Sequence, residues 1–173
     1  MNLRRRLLAL LLLFPLAMSA SDSSLVSDLV IETASRIPAP RAAVWSALTT
    51  ESALGKWFGY AARVELREAG PYEIFFLKNN PPGLRGGEGN AITSFLPGRL
   101  LTFTWNAPPD FGPLRDVRTH VLVELTDADG GTHVKLTHYG FRSGDDWKKV
   151  HAYFTAAWPR VLANLQKHCA PAR

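Results

Sequence analysis

The order of patterns along this chain predicts an α+β fold: about six or seven antiparallel strands, two short helices after the first strand, and one long C-terminal helix. Three observations carry that reading. Short runs rich in β-branched and aromatic residues recur between breaks containing Gly, Pro or Asp. Asp129-Gly130 separates two of these runs and is a strong two-residue hairpin signal. After Asp145-Asp146, apolar residues recur at i, i+3/i+4 spacing. With 173 residues and 46% hydrophobic content, the chain suffices for one domain with a sizeable core.

The first residues read as an export leader. Arg4, Arg5 and Arg6 form a basic start before LLALLLLFPLAM, an apolar run of about a dozen residues, short of the ~20 a membrane-spanning helix needs. Small residues then cluster at Ala17, Ser19, Ala20 and Ser21, so residues 1–20 are expected to be a signal peptide, 21–28 a polar spacer and 29–168 the domain. An exported protein, periplasmic or secreted, with no stable membrane span after cleavage, is the expectation. The formal charge of +5 loses three arginines with the leader, which leaves about +2. No basic stripe then remains for nucleic acid. Cys169 is alone, so no internal disulfide is expected, and its terminal position lacks the base and protected pocket of a catalytic thiol. No cysteine stands at the leader junction to carry a lipid anchor.

Within the domain, residues 29–37 read as the first strand, stopped by Pro38 and Pro40. Pro40 suits a first helical turn, and Val44, Ala47 and Leu48 share one face of a short helix. Thr49 or Thr50 can cap a second short helix with Glu51 in its first turn. Strands follow near 62–68, 71–77, 87–95, 100–105, 118–126 and 132–139. Two Pro/Gly-rich loops, NNPPGLRGG (79–87) and NAPPDFGPLRD (106–116), read as irregular. A type I′ turn at Asp129-Gly130 pairs Leu125 with Val134, Val123 with Leu136 and Val121 with His138. Glu124 and Lys135 then pair on the outer face. Leu101, Phe103 and Trp105 alternate with Thr102 and Thr104, so the aromatic set faces inward. A two-residue turn at Pro97-Gly98 places Ser94, Ile92 and Asn90 opposite them, with Glu88 further along the same face. The long helix carries Trp147, Val150, Phe154, Ala157, Trp158, Val161 and Leu165 on one stripe. Pro159 interrupts its hydrogen-bond ladder and is expected to kink it.

Four segments in order resemble one family: PRAAVWSALTTESALGKWF (40–58), EAGPYEIFF (68–76), GNAITSFLPGRLLTFTW (89–105) and GGTHVKLTHYGF (130–141). The chain is similar to the START-like (SRPBCC, Bet v 1-like) superfamily, in its Hsp90-ATPase-activator-homologue (AHSA1-like) branch. That branch pairs Val-Trp and Leu-Thr in one short helix with Trp-Phe closing a second. Trp158, Leu162 and Leu165 match its apolar spacing at the helix end, while Pro159 departs from it. The resemblance implies a helix-grip fold, a curved sheet wrapped around the long helix with a cavity between them. Tyr72, Ile74, Phe76, Ile92, Phe103, Trp105, Val121, Val123, Val134 and Leu136 would supply its apolar wall, with Trp158 on the helix. A cavity with such a wall and a few polar groups suits a small apolar or amphipathic molecule.

Among the inward polar residues, His138 is expected to hydrogen-bond a ligand or act as acid/base near neutral pH. Glu88 and Asn90 are candidates to orient a polar head group. Metal and cofactor are not expected. His133 and His138 point to opposite faces, His120 and His138 separate in the hairpin, and His151 and His168 lie apart on the helix. No nucleophile elbow, His-Glu-x-x-His or phosphate loop occurs. Three functions remain: an exported carrier or sensor without catalysis, an acid/base enzyme on a hydrophobic substrate using His138, and an Hsp90-ATPase-activating partner. The identity of any protein partner is not set by the sequence.

Overall fold

The structure is a computed structural model that describes residues 27–171. The expected leader (1–20) and most of the expected spacer (21–28) lie outside the described residues. The elements run β1 (Ile31–Ile37), α1 (Arg41–Thr49), α2 (Glu51–Trp57), β2 (Ala61–Val64), β3 (Tyr72–Phe75), β4 (Ile92–Leu96), β5 (Leu100–Trp105), β6 (Thr119–Ala128), β7 (Gly131–Tyr139) and α3 (Asp145–Cys169). Five strands form one antiparallel sheet in the order β1-β7-β6-β5-β4, and β2 pairs with β3. Bridges between Pro71 and Ala91 and between Phe75 and Gly86 tie β3 to the chain before β4. The sheet and α3 together make the α+β helix-grip fold.

Alternation sets the buried face. In β5, Leu101, Phe103 and Trp105 are buried while Thr102 and Thr104 are half-buried. Leu125 pairs with Val134, Val123 with Leu136 and Val121 with His138, so the β6–β7 register is the expected one. Its turn differs in type. Gly130 has φ 65, but Asp129 is not among the positive-φ residues, so one left-handed position suffices where type I′ needs two. Gly131 is equally constrained: an added Cβ would stand 2.2 Å from the Ile37 carbonyl oxygen.

The β4–β5 connection corrects the expected two-residue turn. Leu96 pairs with Leu100 across three residues, and Arg99 N donates to Leu96 O at 2.9 Å. Phe95, not Ser94, therefore faces Leu101. An irregularity between Ile92 and Ser94 absorbs the offset and returns Ile92 to Phe103. The strand expected over 87–95 begins only at Ile92, because the backbone ahead of it turns away to bond with β3 and neighbouring loops. Thr50 stands at the N-cap of α2, but its hydroxyl donates back to Ser46 O at 2.9 Å instead of capping.

Helix α3 presents Trp147, Val150, Phe154, Trp158, Leu162 and Leu165 to the sheet as buried residues. Each large apolar side chain so buried contributes about 1.5–3 kcal/mol. The element remains one helix through Pro159, which lies on its exposed side. Tyr72 and Phe103 fill the centre with rings 4.3 Å apart, and the Tyr72 hydroxyl donates to Leu48 O at 2.9 Å.

Candidate functional site

A cavity of about 450 Å³ opens at one end of the layer between sheet and helix. Its walls come from five places in the chain. Phe58 follows α2; Phe76, Leu77, Gly86 and Gly87 flank the loop after β3; and Trp105 ends β5. Asn106 to Phe111 form the segment after β5, and Tyr153, Phe154, Ala157, Trp158 and Val161 project from α3. The NAPPDFGPLRD loop, expected to be irregular, is partly regular: Pro109–Asp116 forms 3-10 turns broken at Gly112, whose φ is 54.

The floor is aromatic. Phe58 stacks on Trp105 at 5.8 Å between ring centroids, and Trp105 lies 5.6 Å from Trp158. Phe76 meets Phe58 edge-on at 5.5 Å. At the outer side Phe111 meets Tyr153 at 5.8 Å. Phe76 and Tyr153 are 40% and 45% exposed, so these rings form the mouth.

The two tryptophans of the floor are held from behind by one hydrogen-bond chain. Trp158 Nε1 donates to His138 Nδ1 at 2.9 Å. That fixes the His138 proton on Nε2, which donates to Thr119 Oγ1 at 2.7 Å. Thr119 in turn donates to the Trp105 carbonyl at 3.0 Å. His138 is fully buried, and burial, followed by the charges of His151 and His120, pushes its pKa from 6.5 to about 3. The ring is therefore neutral throughout the physiological range, with both nitrogens committed.

This places the expected site residues unequally. Phe76, Trp105 and Trp158 line the cavity. Tyr72, Ile74, Ile92, Phe103, Val121 and Val123 face inward but pack in the core and do not line this cavity. His138 corrects the expectation most sharply. It faces inward, but it touches Phe141 and Phe154 and offers a ligand no free nitrogen. It supports Trp158 and has no acid/base geometry.

Glu88 is likewise turned away. Its carboxylate accepts from Gly83 N at 2.9 Å, Arg85 N at 2.5 Å and the Arg85 guanidinium at 2.9 Å, closing the loop after β3 on itself. Burial pushes its carboxyl up, but these backbone and guanidinium donors outweigh that and hold it below the usual range. Asn90 Nδ2 donates to Gly87 O and to Asn106 Oδ1, each at 3.0 Å, while its own Oδ1 is buried with no hydrogen-bond partner among the described residues. Asn90 thus orients Asn106, which does line the cavity.

Arg115 is the residue that sequence reasoning missed. It is 8% exposed and donates to Gly83 O at 2.9 Å, Gly86 O at 2.5 Å and Ala107 O at 2.8 Å. One guanidinium so clamps together the two loops that frame the mouth. The only available signal was an arginine inside a Pro/Gly-rich loop, which ordinarily reads as solvated.

The model for the family described as "Activator of Hsp90 ATPase homolog 1-like protein" matches residues 38–170. The chain belongs to that family. Among solved structures it resembles protein MLL2253 from Mesorhizobium loti, with a TM-score of 0.66 at 22% identity over 80% of this chain and 95% of that one. The Aha1 dimer from Colwellia psychrerythraea gives 0.62 at 20% identity, covering 81% of this chain and 95% of that chain. CalU16 from Micromonospora echinospora gives 0.60 at 23% identity, covering 82% and 76%. At these identities the likeness is one of fold. No curated protein matches the chain. Within this family, the fold is that of a ligand-binding or activator-like domain.

Proposed function

We propose that this protein is an exported, non-catalytic carrier or sensor of a small hydrophobic molecule held at the aromatic end of the sheet–helix layer. One observation carries the reading: about 450 Å³ of space bordered by Phe58, Phe76, Trp105 and Trp158, a size and lining suited to a small ligand. The basic and apolar start of the sequence supports export. The burial of His138 with both nitrogens bonded argues against the acid/base reading. Native mass spectrometry of protein expressed with its leader, followed by extraction and identification of any co-purified molecule, tests the proposal. An apolar molecule bound one to one is the expected result. Absence of any bound molecule, together with no binding of added apolar compounds, would refute it.

A second reading follows from the family match over residues 38–170: a partner that stimulates the ATPase of Hsp90. Hsp90 turnover measured with and without the purified chain separates the two. The carrier reading expects no change.

A further inference from the structure

The cavity's walls are polarised in charge, and this deepens the proposed function, on which the inference rests. Among the described residues that line it, Asp110 alone carries a formal charge at neutral pH. Asp110 lies at the mouth, exposed, in the first 3-10 turn beside Phe111, and no hydrogen bond or ion pair ties its carboxylate down among the described residues. Seven rings surround the same space: Phe58, Phe76, Trp105, Phe111, Tyr153, Phe154 and Trp158. Aromatic faces carry negative quadrupole potential and attract cations.

Side-chain donors for an anion are few: Asn106, the Tyr153 hydroxyl and the two indole N–H groups, of which that of Trp158 is bonded to His138. Asn106 Nδ2 is committed to Gly86 O and Glu88 O, both at 3.3 Å. Pro108 and Pro109 contribute no backbone N–H, and Phe111 N is bonded to Pro108 O. Arg115 stands behind the wall, but its bonds go to the carbonyls of Gly83, Gly86 and Ala107 and it does not line the space. Asp116 lies near both Arg115 and Arg118, with Glu88 also near Arg115 and Glu73 near Arg118.

The geometry points to a cationic amphiphile, an apolar body bearing an ammonium group, as the ligand class, with its charge beside Asp110 and the Phe111–Tyr153 ring pair. A fatty carboxylate or sulfate would meet the Asp110 carboxylate at the same place, with the neutral Tyr153 hydroxyl as one donor against that repulsion.

Isothermal titration calorimetry with three chain-matched probes tests this: dodecyltrimethylammonium, dodecyl sulfate and dodecyl maltoside. Each is used below its micelle concentration at low salt, with circular dichroism confirming the fold. The ammonium probe should bind about tenfold tighter than the sulfate, and Asp110→Asn should narrow that gap about threefold. The domain's own net positive charge biases non-specific binding the other way. Equal binding of all three, or preference for the sulfate, overturns the cation assignment and leaves the apolar cavity standing. An undiminished preference in Asp110→Asn overturns the placement of the charge at this mouth. Failure of all three to bind sinks the inference together with the carrier reading.

Discussion

Lowering the pH from 7 to 5 should remove about 2 kcal/mol of stability through His138 alone. Burial drops its pKa to about 3 in the folded protein, against the ordinary 6.5 that it regains on unfolding. Between those values the unfolded chain binds the proton and the folded chain does not, so stability is full above pH 6.5 and falls as the pH falls. At pH 5 the unfolded ring lies one and a half units below 6.5, worth about 2 kcal/mol at 1.36 kcal/mol per unit. The loss would reach roughly 4 kcal/mol near pH 3, where carboxylates also begin to titrate. His138→Gln offers a donor and an acceptor in place of the ring but does not titrate, so it should flatten this limb. Urea unfolding followed by tryptophan fluorescence at pH 7, 6 and 5, for both proteins, measures the difference. If both lose the same stability between pH 7 and 5, the buried neutral His138 bridge is wrong.

Other consequences are open to direct measurement. Trp105→Ala should cost about 3 kcal/mol in urea unfolding, the lower end for a buried aromatic because the side chain already borders open space. Arg115→Ala should cost about 2 kcal/mol and speed amide exchange in 83–86 and 107, since it strips donors from the carbonyls of Gly83, Gly86 and Ala107, the last two in buried residues. Intact mass and N-terminal sequencing of exported protein should place the mature start between residues 20 and 22; retention of Met1 would refute the leader.

The sheet was legible where local chemistry decides it. Asp129-Gly130 and the Val/Leu alternation on either side set the β6–β7 register even though the turn type differs, because a one-residue slip would expose Val121, Val123 and Leu125 together. The β4 strand was less legible: a bulge at Ile92–Ser94 and a three-residue turn compensate each other, and alternation reads through both. The cavity was placed on the right face but at the wrong depth. Inward direction is a property of strand register. Whether an inward residue meets space or another side chain depends on partners far away in sequence, as Tyr72 and Phe103 do in filling the centre. The end near Trp105 stays open because the two Pro/Gly-rich loops arch over it, and their path depends on Arg115 and Glu88 contacts that no periodicity encodes.

Pro159 has a bearing on how such a space is filled. It sits between Trp158 and Val161, two of the five residues through which α3 borders the cavity. Lacking an N–H, it leaves the Thr155 carbonyl on the exposed side of the helix, where water can satisfy it. The wall is therefore a rod with one rung missing at the height of its guest. Bending there strains one backbone hydrogen bond fewer than elsewhere in α3, so the turn bearing Val161 flexes more cheaply while Trp158 stays tied to His138. A guest larger than the resting space would be accommodated by the helix flexing at that point, while the sheet behind it keeps its shape.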